Sequence, residues 1–311
     1  MVYLAGVDGG ATKTHCVISD EQGNILSEGF SGGSNYQVIG EEAAKQALRS
    51  ALEEALQKTG IAFHDLELTV LGLAGADLEP DFEVLNKICL DLFGHQRFKI
   101  LNDTWIGMKS AEPEFWGVTA NCGTGGSYAG RTKDGREVIL RNLSYELGNR
   151  GGGLDITVEA LHYAFRSEEG TGSKTRLEAE IPPLFGFKNL SEMVKPLIGG
   201  KIDHDGIRQL PKLVFKLASE GDTVCQNILT ELGQVMGEIA GGIAKRLDLT
   251  LIEFPMILMG SVFLDRSCPL LVDEFTTTIH KTAPYAKIKI TNQRPVLGAL
   301  QLALEEYAHQ Q

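Results

Sequence analysis

Two glycine-rich turns carry the densest chemistry in this 311-residue sequence. In the first, "DGGATKT", Asp8 closes an apolar β-type run, Gly9 and Gly10 permit positive φ and close backbone approach, and Thr12, Lys13 and Thr14 present donors where the chain returns. Such a turn can wrap an oxyanion. The Asp8 carboxylate would repel a phosphate unless a cation lay between them, so phosphate binding here implies Mg2+, held by Asp8 through water. A tight hairpin whose glycines only make the turn would read the same way. The spacing of a Walker A loop is absent. The second turn, "NCGTGGSY", places Gly123, Thr124, Gly125, Gly126 and Ser127 in the same kind of bend without the acid. One acidic and one neutral loop could grip a triphosphate from two sides.

Between the turns, in "KILNDTWIG", Asp103 ends a β-type run just before a short helical segment. That is the sheet edge where open α/β sheets place ligands. A carboxylate there could serve as the general base of a phosphoryl transfer, and it could equally be the N-cap of a helix over 104–110. Gly72, Gly75 and Asp77 in "GLAGAD", and Gly260 and Ser261 in "ILMGSVF", mark further strand-end loops. Asn35 and Tyr36 pair an amide with an aromatic plane, as a sugar site would. The seven histidines show no ligand spacing, and the five cysteines lie at least 33 residues apart. Buried thiols and packing or surface histidines are therefore expected rather than a zinc or iron–sulfur site.

The elements that must position these residues are legible in the hydrophobic pattern. Val2–Asp8, Thr14–Asp20 and Ile25–Phe30 read as a three-stranded meander, and Glu41–Lys58 as a helix with Ala44, Leu48, Ala51, Leu52, Ala55 and Leu56 on one stripe. A strand over 67–73, a helix over 81–93, a strand over 98–101 and a helix over 104–110 follow. Trp116–Cys122, Gly126–Arg131 and Glu137–Asn142 then repeat the meander, its glycine turn lying 113 residues after the first. Helices over 154–165, 190–197, 205–219 and 222–247 come next, then a strand over 254–259, a helix over 269–282, a strand over 286–290 and a closing helix over 296–307. This order predicts an α/β protein of two domains with a ligand cleft between them. The first spans 1–115, with a closing segment 294–311 packing back on it; the second spans 116–293, with a helical insertion at about 154–247.

With 43% hydrophobic and 23% charged residues the chain is an ordinary folded protein, and disorder is excluded. A net charge of −12 repels nucleic acid and anionic lipid, and no stretch approaches the ~18 apolar residues of a membrane span. Met1–Gly10 carries no basic leader region, so a cytoplasmic location is expected.

Taken in order, "DGGATKT", "GSNYQVIG", "GLAGAD", "LND", "NCGTGGS", "ELGNRGGG" and "MGSVF" resemble the N-acetylglucosamine and N-acetylmuramic acid kinase branch of the actin-like (ribonuclease H-like) ATPase superfamily. The same broad family holds the activator ATPases of benzoyl-CoA reductase and 2-hydroxyacyl-CoA dehydratase. The resemblance implies two actin-like domains and an ATP-dependent kinase acting on the 6-hydroxyl of an N-acetylated amino sugar. By resemblance, Asp8, Gly9, Gly10, Thr12, Lys13, Thr14, Gly123, Thr124, Gly125, Gly126, Gly260 and Ser261 serve ATP, with Asp8 organising Mg2+. Asp103 is the catalytic base, and Asn35, Gly75, Asp103, Thr124, Gly125, Asn149 and Arg150 face the sugar. Partners are the sugar and ATP, with no nucleic acid or membrane, and a homodimer stays open. The alternative is an ATP-hydrolysing conformational switch that activates a partner enzyme, which would call for cluster-ligating cysteines. One departure concerns the substrate. Sugar kinases usually carry "GDEGS" where this chain has "GNRGGG", and Leu143 falls about where a tryptophan is common. Asn149 and Arg150 in place of two acids would suit a carboxylate-bearing sugar such as N-acetylmuramic acid, unless Arg150 is solvated or serves the phosphates.

Overall fold

The computed structural model describes residues 2–202 and 204–311, with backbone alone at His204 and Asp205. Met1, at the head of the stretch read for a leader, and the His204 side chain therefore lie outside the described residues. In chain order the elements are β1 Tyr3–Gly9, β2 Lys13–Asp20, β3 Ile25–Gly32, α1 Tyr36–Ile39, α2 Glu41–Gln57, β4 Leu66–Leu73, α3 Glu79–Phe93, β5 Phe98–Asn102 and α4 Asp103–Ala111. They continue as β6 Gly117–Cys122, β7 Gly126–Arg131, β8 Glu137–Ile139, α5 Gly153–Glu168, α6 Leu177–Leu184, α7 Leu190–Ile198, α8 His204–Ser219, α9 Thr223–Arg246, β9 Phe254–Met259, α10 Ser261–Leu264, α11 Leu270–Thr282, β10 Ala286–Ile290 and α12 Pro295–His309.

Two compact units result. The first holds residues up to Gly117, Lys133–Gly135 and Gln293–Gln311. Its sheet runs β3-β2-β1-β4-β5, with β1 antiparallel to β2 and parallel to β4, and β4 parallel to β5. Apolar residues alternate to both faces. Ala5, Val7, Cys16, Ile18 and Leu71 pack under the α2 stripe, all six residues of which are buried, while Leu4, Val17, Leu68 and Val70 pack under α4 and α12. The second unit holds Val118–Thr132 and Arg136–Asn292, with a sheet in the order β10-β9-β6-β7-β8. Renumbered from its own first strand, that is the order of the first sheet, so the repeat read from the glycine turns is a repeat of topology. On α9, Gly233, Gly237 and Gly241 bring the helix against α11 at Leu271, Phe275, Thr278 and Thr282.

Four elements differ from expectation, each for a local reason. β8 stops at Ile139 because Asn142 turns left-handed, φ 54°, and its side-chain oxygen takes the Tyr128 N–H at 2.8 Å, ending the ladder. α6 was concealed by Pro182 and Pro183, which read as breakers but sit in its last turn, while Leu177 and Ile181 bury its face. The four-residue helices α1 and α10 are too short to show a period.

The contact of α12 with α4 is close enough that a Cβ on Gly298 would collide with the Ile106 carbonyl. Gly298→Ala is expected to cost at least ~2 kcal/mol, since backbone must move. Gly242→Ala, where nothing lies within 4 Å, should instead be neutral or stabilising by up to ~1 kcal/mol through helix propensity. Urea unfolding of the two variants measures both.

Candidate active site

β1, β4 and β5 run parallel, and their carboxyl ends deliver three acids. Asp8 is the penultimate residue of β1, Asp77 lies in the loop after β4, and Asp103 opens α4. All three are half-buried. Burial drives the Asp8 carboxyl up to about 7, helped by the like charge of Asp103 and opposed by Lys13. Asp77 is pushed up to about 7 by burial and then by Asp103 and Asp81, and Asp103 to about 6 by burial. Three acids that hold protons this close to neutrality form a site short of positive charge.

Asn102 decides what Asp103 can do. It is 2% exposed, and its Oδ1 accepts the Thr104 N–H at 3.0 Å while Nδ2 donates to the Ala76 carbonyl at 3.2 Å and to Asp77 Oδ1 at 2.9 Å. The N-cap of α4 is therefore Asn102, in extended backbone, and Asp103 is the first helical residue. The capping role that the sequence allowed for Asp103 is filled by its neighbour.

The Asp8–Thr14 turn is pinned from both sides. Gly10 N–H donates to the Lys13 carbonyl at 2.9 Å, Ser34 N–H to the Gly10 carbonyl at 2.9 Å, and Ala74 N–H to the Gly9 carbonyl at 2.8 Å. Thr12 and Lys13 are exposed and Gly9 is buried. Thr14 departs from its expected role: it is fully buried and its hydroxyl donates to the Gly32 carbonyl at 2.8 Å, so it closes the hairpin instead of offering a donor. Asn35 caps α1, its Oδ1 accepting the Gln37 N–H at 3.0 Å, while its amide nitrogen has no partner among the described residues. Gly75, at φ 85°, backs onto it; a Cβ there would come 2.7 Å from Asn35 Oδ1. Asp81 joins the two loops. Its Oδ1 accepts Tyr36 Oη at 2.5 Å and Gln37 Nε2 at 3.1 Å, and its Oδ2 accepts the backbone N–H groups of Leu78 at 2.7 Å and Asp77 at 3.2 Å. The first unit thus brings together Asp8, Gly9, Gly10, Asn35, Gly75 and Asp103. Two further acids belong here: Asp77, marked in the sequence by its loop after a strand, and Asp81, in the first turn of α3, which carries no such mark.

In the second unit, Gly123–Gly126 is held against the start of α5, where Gly153 N–H donates to the Gly123 carbonyl at 2.8 Å and Leu154 N–H to the Thr124 carbonyl at 3.1 Å. Thr124, Gly125 and Ser261 are exposed, and Gly260, φ 94°, lies tight against the Cys122 backbone. Asn149 and Arg150 both have partners within this unit. Both amide hydrogens of Asn149 are spent within the loop, on the Gly126 carbonyl at 2.8 Å and the Leu143 carbonyl at 2.9 Å. Arg150 already has a carboxylate, Glu159 on α5, at 2.9 Å, and it lies over the Tyr145 ring at 5.9 Å. Asn149 thus fastens the loop, and Arg150 commits one nitrogen of its guanidinium to Glu159.

Over residues 5–303 the chain matches the BadF/BadG/BcrA/BcrD ATPase family, and it belongs to that family of ATP-using proteins. It is 26% identical over 306 residues to an N-acetylmuramic acid/N-acetylglucosamine kinase of Clostridium acetobutylicum, covering 98% of this chain and 99% of that protein. It is 27% identical over 310 residues to an N-acetyl-D-glucosamine kinase of Dictyostelium discoideum, covering 96% and 97%. A crystal structure from Chromobacterium violaceum, provisionally named an N-acetylglucosamine kinase, superposes with a TM-score of 0.75 at 22% identity over 98% of this chain and 99% of that one. The fold is the two-sheet α/β class expected of the actin-like ATPases.

The raised carboxyls carry a stability signature. Their folded values exceed the ordinary 3.8, so the folded state binds more protons than the unfolded state between about pH 4 and 7, and stability falls as pH rises through that window. Urea unfolding without divalent cations should show lower stability at pH 8 than at pH 5.5 from these groups, and Asp8→Asn should flatten the difference. An unchanged pH slope in the variant would show that Asp8 is not a buried proton carrier.

Proposed function

We propose that this protein is an ATP-dependent kinase that phosphorylates the 6-hydroxyl of an N-acetylated amino sugar, N-acetylglucosamine, N-acetylmuramic acid or both. The observation that carries the reading is Asp103, a strand-end carboxylate released from helix capping by Asn102 and buried enough to hold its proton until about pH 6. A base of that strength is ionised at pH 7 yet still accepts a proton readily. Asp103 takes the proton of the 6-hydroxyl as the sugar oxygen bonds to the γ-phosphorus and the bond to the β-phosphate oxygen breaks, leaving sugar phosphate and ADP. Full-length likeness to named amino-sugar kinases supports the substrate class. Asn35, whose amide nitrogen is unspent, suits a sugar oxygen. The exposed Thr12 and Lys13 of the first turn, and the exposed Thr124 and Gly125 of the second, suit phosphate.

The residues fit Mg2+ at Asp8. Its half-buried carboxylate lies under the charge of Asp103, a repulsion that a divalent cation relieves. Among the described residues no three ligating side chains cluster as an all-protein cage, and Mg2+ is commonly held by one or two carboxylates with water and substrate phosphates. When bound, the ion supplies charge screening for the phosphates. The switch alternative needs thiols to share a cluster, and all five cysteines are free and buried.

Asp103→Asn is expected to lower kcat by ~10²–10⁴ while Mg-ATP and sugar affinities stay within severalfold. In the wild type, kcat/KM should fall as pH drops through about 6, the value of the Asp103 carboxyl. A coupled assay of sugar-dependent ADP release tests both; near-normal turnover in Asp103→Asn would remove the base. Arg150→Ala, which strips Glu159 of its partner, should weaken N-acetylglucosamine and N-acetylmuramic acid to a similar degree. A selective rise in KM for the carboxylate-bearing sugar would restore the fork reading of Arg150.

A further inference from the structure

Asp77 is the one acid of the first unit's strand ends that the proposed chemistry leaves without work. We infer that Asp77 is a second acceptor-binding carboxylate, whose Oδ2 receives a hydrogen bond from a sugar hydroxyl near the one that is phosphorylated. The inference rests on the kinase reading and deepens it. Asp77 follows β4, which lies between β1, bearing Asp8, and β5, leading to Asp103, and the charge of Asp103 reaches it. The two carboxylates therefore address neighbouring space. Asp77 is also held in place: Asn102 Nδ2 grips its Oδ1 at 2.9 Å and the preceding carbonyl of Ala76 at 3.2 Å, and Asp81 Oδ2 takes its backbone N–H at 3.2 Å. Its Oδ2 has no hydrogen-bond partner among the described residues.

The Oδ2 of this half-buried carboxylate is not sealed from solvent, and when ionised it accepts a donor from whatever occupies that space. Phosphate offers only repulsion, and a hydroxyl of the acceptor sugar offers the donor. The same loop carries Gly75 behind Asn35, so both residues belong to the acceptor side of the unit.

The test is steady-state kinetics on N-acetylglucosamine and on its 3-deoxy and 4-deoxy analogues, comparing wild type with Asp77→Asn, alongside calorimetry of Mg-ATP. The Asn variant keeps an oxygen for Asn102 but loses the accepting charge. KM for the parent sugar should rise about 10–100-fold, the loss of a hydrogen bond to a charged group, with kcat within about threefold and Mg-ATP affinity unchanged. One deoxy analogue should already be weak with wild type and lose little more in the variant. As a second variant, Asn102→Ser keeps a helix-capping oxygen for Thr104 while freeing Asp77, and should show the same pattern to a smaller degree. An unchanged KM in Asp77→Asn, a loss confined to Mg-ATP affinity, or equal further losses on all three sugars would each overturn the inference. Wild-type protein that turns over none of the sugars would overturn the kinase reading itself, and the inference with it, a result visible before any variant is made.

Discussion

One buried amide governs the carboxyl end of the first sheet. Asn102 has its donor and acceptor atoms committed in three directions, to the helix it caps, to the loop after the neighbouring strand and to the acid in that loop. Buried amides of this kind are satisfied all at once or become expensive. The consequence is a division of labour between adjacent residues: Asn102 meets the structural demand of a helix start, and Asp103, relieved of it, stays available for chemistry. The same end of the sheet concentrates negative charge in a place with limited water. Water cannot fully solvate three acids there, so protons or cations must complete the arrangement.

The two sheets share one strand order but have been locked by different means. In the first, the glycine turn is pinned by backbone from the segment after β3 and from the end of β4; in the second, by the first turn of α5. The acid present at Asp8 has no counterpart, and Tyr128 instead fills the interior, its hydroxyl donating to the Arg150 carbonyl at 2.7 Å. A repeated frame has been adapted locally at the loops, which is where function resides on such scaffolds.

That division sets what the residues announce before folding. The succession of strands, the α2 stripe and the glycine turns are local patterns, and apart from β8, which stops three residues early, each was legible to within a residue or two, because apolar period and turn chemistry act over short distances. The partners of Thr14, Asn149 and Arg150 were not legible. Thr14 and Gly32 are 18 residues apart, and Asn149 reaches Gly126 across 23. A polar side chain in a glycine-rich loop looks the same whether it faces a ligand or fastens its own loop, and only the fold distinguishes the two. Asp77 is the reverse case: its loop was recognised, but its orientation depends on Asn102, 25 residues on, which no spacing rule would select.

The closing helix α12 lies on β1 and α4 so tightly that a Cβ on Gly6 would meet the Leu300 nitrogen at 2.5 Å. Leu4, Val17 and Ile106 find their cover there. Those contacts span nearly the full chain, so during synthesis the first unit waits for its last piece. At roughly 5–20 residues per second, the interval between translating α4 and α12 is on the order of 10–40 s. For that time one face of the first sheet is a bare apolar surface, while the residues of the second unit are being made. The earliest residues made are thus among the last to be sealed, which makes this stage the one at which the nascent chain most needs protection from its neighbours.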